Sequence, residues 1–229
     1  MTDKSPEKIK ELFNYIAPHY DQNNDIISLL MHRLIKFDVI RRLPELHENA
    51  KILDLCCGTG DITNLLHKKY RDALVTGLDF SDEMLKIARK KNKKLKFEEA
   101  DCASIPYPDN TFDLITICFG LRNTPDYDKV LSEINRVLKP NGIFLHLDFG
   151  NASKTADKVF HKIVELVAQL QEDDSYIYLM ESKHEFPPVE ELIKLFAKHE
   201  LNIENRQDYL QGIISAQYCI KGKKQWITS

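Results

Sequence analysis

Residues 51–61 read Lys51-Ile52-Leu53-Asp54-Leu55-Cys56-Cys57-Gly58-Thr59-Gly60-Asp61, and Ile62-Thr63-Asn64-Leu65-Leu66-His67-Lys68 follows at once. A short apolar strand drives into a small glycine loop, and a helix leaves it. Such a turn lets backbone N–H groups approach a ligand closely, because glycine has no Cβ to block the way. The acids give the loop its character. Asp54 sits on the strand end and Asp61 at the helix start, so the loop is dressed for a positively charged ligand rather than a pyrophosphate.

Downstream of this stretch the pattern alternates. Strands are expected at 51–55, 74–79, 95–100, 112–118 and 143–149, with helices at 61–70, 82–92 and 127–138. Lys139-Pro140-Asn141-Gly142 reads as a turn that ends the third helix before the next strand. After Pro187-Pro188 a helix is expected at 189–198, then strands at 201–207 and 213–220, joined closely enough to pair antiparallel at a sheet edge. Short apolar runs alternating with amphipathic helices predict an α/β fold: a Rossmann-like, mostly parallel seven-stranded sheet with helices on both faces.

Two segments lie outside the alternation. Residues 6–43 carry helical periodicity (Ile9, Leu12, Phe13, Ile16, then Ile26, Ile27, Leu30, Leu34, Ile35), and residues 155–170 place Val159, Phe160, Ile163, Val164, Leu166, Val167 and Leu170 at helical spacing. Both read as core-facing helices or as a cap over the carboxyl edge of the sheet, where open α/β folds bind ligands. The expected organisation is one domain over 1–221, with a helical cap (6–43), a cofactor-binding core (51–150), substrate-side helices and edge strands (151–221), and a tail (222–229).

Composition narrows the class. The 229 residues are 43% hydrophobic and 29% charged, with a net charge of −3, ordinary for a globular protein and without a phosphate-seeking field. No apolar run approaches the ~20 residues needed to span a bilayer. The polar start Met1-Thr2-Asp3-Lys4 lacks a signal core, and adjacent Cys56-Cys57 cannot frame disulfides. A reduced, cytoplasmic chain with no metal site is expected.

A nicotinamide fingerprint would read G-x-G-x-x-G, but Thr63 stands where the third glycine belongs. Asp79 ends the second strand, placed to accept from ribose hydroxyls, and Asp101 follows the third. Each also has a plain structural role open to it, Asp79 as a helix cap and Asp101 as the holder of a turn. Three acids at three successive strand ends fit an adenosine with a cationic amino-acid tail, that is S-adenosyl-L-methionine, better than a dinucleotide.

The chain resembles a class I methyltransferase and, more narrowly, the menaquinone/ubiquinone biosynthesis C-methyltransferase family, over roughly residues 7–220. The pieces that carry it are Phe13-x-x-Ile16-Ala17-Pro18-x-Tyr20-Asp21-x-x-Asn24, the glycine loop Asp54 to Asp61, Phe119-Gly120-Leu121-Arg122-Asn123-x-x-Asp126, Glu133-Ile134-x-Arg136 through Gly142, and Tyr178-Leu179-x-Glu181-Ser182 with Phe186-Pro187. The glycine loop is shared by many methyltransferases, whereas Phe119 to Asn123 and Tyr178 to Ser182 are much narrower signals. The resemblance implies methylation of a ring carbon of a prenylated quinol. It implies cofactor contacts from Asp54, Gly58, Thr59, Gly60, Asp79, Phe80, Asp101, Cys102 and Cys118, and catalytic roles for Arg122, Asn123 and Tyr20. Arg122 is a poor base but suits a phenolate; a salt bridge to Asp126 would be its plain role. Tyr20 could instead be a core tyrosine, and Tyr178 and Glu181 fit helix-surface packing as well. His146 and His161 read as structural.

Departures from the family pattern fall on the substrate side. Leu30 and Ile35 replace the family's glycine and tryptophan in Ile27-Ser28-Leu29-Leu30-Met31-His32-Arg33-Leu34-Ile35, Asp148-Phe149-Gly150 replaces Glu-Phe-Ser, Gln211-Gly212 replaces Gly-Gly, and 151–175 is short. Another small hydrophobic or aromatic acceptor, or a non-catalytic sensor, are therefore the competing readings. Nucleic-acid methylation is disfavoured because no Asn/Asp-Pro-Pro-Tyr run follows the fourth strand. Peripheral contact with the inner face of a membrane, through the Lys/Arg and apolar residues of 31–43, and a homodimer complete the expectations.

Overall fold

The computed structural model describes residues 4–171 and 175–222, so residues 223–229 of the expected tail lie outside the described residues. The strands are β1 (Lys51–Leu55), β2 (Leu74–Asp79), β3 (Lys96–Glu99), β4 (Phe112–Cys118), β5 (Leu138–Phe149), β6 (Leu201–Tyr209) and β7 (Ile214–Lys221). They form one seven-stranded sheet in the order β3-β2-β1-β4-β5-β7-β6. β1 to β5 pair in parallel, and β7 runs antiparallel to both β5 and β6. Chain order reverses between β1 and β4, which opens a crevice at the carboxyl ends of these strands.

The helices are α1 (Pro6–Ile16), α2 (Tyr20–Ile27), α3 (Met31–Arg41), α4 (Asp61–Lys69), α5 (Asp82–Lys91), α6 (Tyr127–Val137), α7 (Lys154–Gln171), α8 (Ser175–Glu185) and α9 (Val189–Lys198). Strand alternation divides the core between two faces. Leu53, Leu55, Ile115 and Phe144 pack with Val130, Leu131 and Ile134 of α6 and with Leu192 and Phe196 of α9. Ile52, Leu114, Leu145 and Leu147 pack with Ile35, Val39 and Ile40 of α3 and with Ile62 and Leu66 of α4. Each such large side chain contributes about 1.5–3 kcal/mol on burial. Side-chain caps start three of the described helices: Ser81 accepts from Met84 N at 3.2 Å, Asp126 from Lys129 N at 3.0 Å and Ser153 from Ala156 N at 3.2 Å.

The N-terminal segment serves both expected roles. α3 belongs to the core, whereas α1 buries only Ile9 and α2 buries no residue fully. Polar contacts tie this thin cap to the sheet: Ser81 Oγ to Asn14 Oδ1 at 2.6 Å and Lys10 Nζ to Glu99 at 2.7 Å.

Three local readings change. The 139–142 turn lies inside β5, because Leu138 already pairs with Phe112; the register then slips before Ile143 meets Leu114, with Asn141 at φ 60°. In α7, Val164 and Val167 face inward, but Val159 and Leu166 are exposed, and His161 lies on the exposed side beside Asp157. α8 had no clear sequence periodicity, since Tyr178, Leu179 and Met180 are consecutive and form no stripe.

Candidate functional site

The glycine loop carries left-handed backbone at Cys56 (φ 51°), Gly58 (φ 53°) and Gly60 (φ 83°). At Gly60 the positive φ favours glycine, and a Cβ would also press on the Phe97 ring at 3.0 Å. Asp54 is buried at the end of β1 and accepts from Thr63 Oγ1 at 2.6 Å and Thr116 Oγ1 at 2.7 Å. Thr63, at the position of the missing third glycine, thus orients the acid. Burial pushes the Asp54 carboxyl up to about 6, against those two hydroxyls.

Asp79 accepts from Gly58 N at 2.8 Å and Ser81 N at 2.9 Å, and its burial raises its pKa. It therefore ties the glycine loop to the end of β2, while Ser81, not Asp79, caps α5. Asp101 holds a turn through Ala103 N at 2.8 Å, and its residue is exposed. A cleft of about 800 Å³ opens among these groups. Its walls include Tyr20, Gly58, Asp79, Phe80, Asp101, Cys102, Cys118 and Asn123.

A second cavity, of about 360 Å³, carries Lys36, Asp54, Thr59 and Asp61. Burial works to raise the Asp61 carboxyl, but Lys36 and Lys91 outweigh it and hold it at about 2. The same spot is a latch. Asp21 of α2 accepts from Thr59 Oγ1 at 2.6 Å and pairs with Lys91 Nζ at 2.5 Å, and Lys91 also reaches Asp61 at 3.0 Å.

Two further cavities, of about 510 and 550 Å³, lie between α2 and α8 and share Tyr20, Asn24, Ile27, Arg122 and Leu179. The larger adds Ser28, His32, Lys36, Phe119, Phe149, Phe160 and Ile214. Arg122 is 7% exposed. Its partner is Asp148 of β5 at 2.9 Å, not Asp126, which caps α6. The guanidinium also donates to Phe119 O at 2.7 Å and lies 5.1 Å from the Phe149 ring centre. Arg122 Nε is buried without a hydrogen-bond partner among the described residues. Tyr178 donates to Asn123 Oδ1 at 2.9 Å, and burial pushes its hydroxyl up to about 12.

His32 is buried, and desolvation followed by Lys36 pushes its imidazole down to about 4. Ser28 donates its proton to Asn24 O at 2.7 Å, so the 2.6 Å Ser28–His32 contact is a donation from Nδ1–H. That tautomer leaves Nε2 with its lone pair.

The sequence-derived residues therefore gather as follows. Gly58, Asp79, Phe80, Asp101, Cys102, Cys118 and Asn123 line the main cleft, Asp54 and Thr59 line the second cavity, and Arg122 lines the third and fourth. Tyr20 borders all four, as a partly exposed wall residue rather than a core tyrosine. Gly60 is on none of these walls and shapes the turn behind them. His146 is buried in the sheet with Gln217 as partner. Sequence reasoning placed none of Asp148, Lys36 and His32 at the site; the Asp148-Phe149-Gly150 departure was the signal for the first.

Fold and cleft together define a class I methyltransferase. Solved structures share the architecture: an S-adenosyl-L-methionine-dependent methyltransferase from Thermotoga maritima superposes with a TM-score of 0.69 at 18% identity, covering 93% of this chain and 100% of that one. Another, from Methanococcus maripaludis, gives 0.65 at 20% identity over 93% and 95%. The chain itself belongs to the ubiE/COQ5 methyltransferase family, whose model matches residues 1–221. Similar curated proteins include the ubiquinone/menaquinone biosynthesis C-methyltransferase UbiE of Rickettsia akari, 40% identical over 86% of this chain and 87% of that one. The same enzyme of Rickettsia bellii (strain RML369-C) is 37% identical over 91% of each. The protein is thus an S-adenosyl-L-methionine-dependent methyltransferase.

Proposed function

We propose that the enzyme methylates a ring carbon of a prenylated quinol, a demethylmenaquinol or a 2-methoxy-6-polyprenyl-1,4-benzoquinol, acting as one domain over residues 1–221. Family membership supports the chemistry. The observation that carries the acceptor side is Arg122: a guanidinium in a cavity walled by Tyr20, Ile27, Phe119, Phe149, Phe160, Leu179 and Ile214 beside the polar Asn24, Ser28, His32 and Lys36, with Nε unpartnered among the described residues. That combination suits a lipophilic ring bearing an oxygen.

The cleft fits the cofactor by the chemistry of its walls. Asp54 is a buried acid that accepts from the hydroxyls of Thr63 and Thr116, a site for a cation. Asp79 faces the main cleft as a ribose acceptor, with Phe80, Asp101, Cys102 and Cys118 around the adenosine. Gly58 and Thr59 border the methionine end. When bound, S-adenosyl-L-methionine supplies an electrophilic methyl group on a sulfonium.

The remaining work belongs to the protein. Losing the proton of a ring hydroxyl drives charge onto the neighbouring ring carbon and makes it nucleophilic. Arg122 stabilises the resulting oxyanion. Asn123, fixed by Tyr178, orients the ring hydroxyl, and Tyr20 stands between cofactor and acceptor cavities. Tyr178 stays protonated at neutral pH and does not take the proton. His32, neutral in the wall of the same cavity, accepts it through Nε2, which lies 3.8 Å from Asp25 Oδ1. Holding two reactants in line supplies up to about 7–11 kcal/mol of the barrier.

The lipid substrate further supports peripheral contact with the inner, cytoplasmic face of a membrane. Among the described residues no helix is long and apolar enough to cross one. Incubation with the cofactor and each of the two reduced quinols, read by mass spectrometry, tests the proposal. Gain of one methyl group on either supports it and names the pathway; binding of cofactor with transfer to neither overturns it.

A further inference from the structure

We propose that the outer face of the α2–α3 corner docks on a lipid bilayer carrying anionic headgroups, beside the cavity that the same two helices line from within. The inference rests on the quinol reading, and it names the surface that reading leaves open.

α3 has two unlike faces. His32, Ile35, Val39 and Ile40 are buried, whereas Leu34 is 62% and Phe37 57% exposed. Leu30, Leu34, Phe37 and Arg41 follow a spacing of four, three and four residues, which draws one ridge along the helix. Leu29, 74% exposed, extends the apolar surface over the tip, and Ile26 and Met31 flank it. Scattered exposed apolar residues are ordinary; six within twelve positions, on one corner, mark an interaction surface.

The backbone of the tip adds an independent observation. Leu29 and Leu30 adopt φ of 48° and 63°, a left-handed conformation that branched apolar residues seldom take. The sequence places two leucines where glycine would relax the turn, and both point outward. In water neither the strain nor the exposure gains anything. Against hydrocarbon both leucines would be desolvated.

Charge selects the occupant. The outer rim of the corner carries Arg33, Arg41 and Arg42 against Asp25 and Asp38, while Lys36 turns inward to Asp61. Asp25 is bound to Arg33, and Asp38 to Arg41 and Arg42. An apolar ridge rimmed by a net positive charge is the pattern of a helix lying at the headgroup level of an anionic membrane. A second copy of the chain would bring two basic rims together. The position also matches the substrate: Ile27, Ser28 and His32, on the inner faces of these helices, line the cavity holding Arg122. A quinol could then pass between bilayer and cavity without its prenyl tail crossing water.

Flotation with phosphatidylcholine vesicles, with and without phosphatidylglycerol, tests this on the wild type and on a Leu34→Glu, Phe37→Glu double variant. The variant's folding is checked by cofactor affinity and by methylation of a short-tailed quinol in vesicle-free buffer, both expected unchanged. Wild type should bind the phosphatidylglycerol vesicles, and the variant should lose at least about tenfold of that binding. Three outcomes overturn the inference: wild type that methylates the short-tailed quinol but floats with neither vesicle, a variant that floats like wild type, or a wild-type dimer that the variant dissociates. Failure of the short-tailed quinol to react would instead strike the quinol reading itself.

Discussion

Burial holds the Asp54 carboxyl up at about 6 although Thr63 and Thr116 both donate to it. The sign of the consequence follows from linkage. A carboxyl raised above its unfolded value stabilises the fold fully below pH ~4, and that contribution, about 3 kcal/mol, is lost as pH rises through about 6. Above that pH the ionised acid is buried with hydroxyl partners until a cation arrives. Cofactor affinity should therefore be about tenfold weaker at pH ~5 than at pH ~7.5, following the ionised fraction. Calorimetric titration of wild type and of Asp54→Asn checks this; the variant should bind weakly and without that pH dependence. His32 behaves in the opposite sense. Its imidazole lies among Lys36, Asp25, Arg33 and Asp61, and with its pKa pushed down to about 4 it remains neutral well below the ordinary histidine value. At saturating cofactor, kcat should therefore show no histidine-like fall near pH ~6.5. His32→Gln should lower kcat about 100-fold with unchanged cofactor affinity. An unchanged kcat would remove His32 as proton acceptor.

Between β1 and α2 the decisive contact is polar. α2 buries no side chain fully, so its position over the cleft depends on Asp21 meeting Thr59 and Lys91. Asp21→Ala should weaken cofactor binding about tenfold, or ~1.4 kcal/mol, and a cycle with Thr59→Ala should show coupling near 1 kcal/mol. Equal affinities for wild type and Asp21→Ala would mean the cap does not close on the cofactor. The elements themselves were mostly legible, because local causes set them. β1, β2 and β4 are short apolar runs bounded by turn residues, and their limits fall where the sequence put them. α8 was not legible, since its apolar residues form no stripe. The start of β5 was hidden because pairing of Leu138 with Phe112, a tertiary contact, overrides the turn chemistry of Pro140-Asn141-Gly142.

Across the molecule, the site joins residues far apart in sequence, and that separation decided what could be read. The cofactor side lies within one strand–loop–helix run and the two strand ends that follow, so Asp54, Asp79 and Asp101 could be placed by spacing. The acceptor side could not. Arg122 meets Asp148 from 26 positions away, and sequence proximity pointed to Asp126 instead. Lys36 and His32 reach the cavities only because α3 packs against α4 across the glycine loop. Tyr20 borders both the cavity of Asp54 and the cavity of Arg122, the acid and the guanidinium to which the proposed carbon methylation of a quinol assigns cofactor and acceptor. The most direct measurement is transfer from S-adenosyl-L-methionine carrying a carbon-13 methyl to a reduced prenylated quinol, with the product located by NMR. The account predicts one labelled methyl on a ring carbon, lost when Arg122 is replaced by Ala; label on a ring oxygen, or none despite bound cofactor, would contradict it.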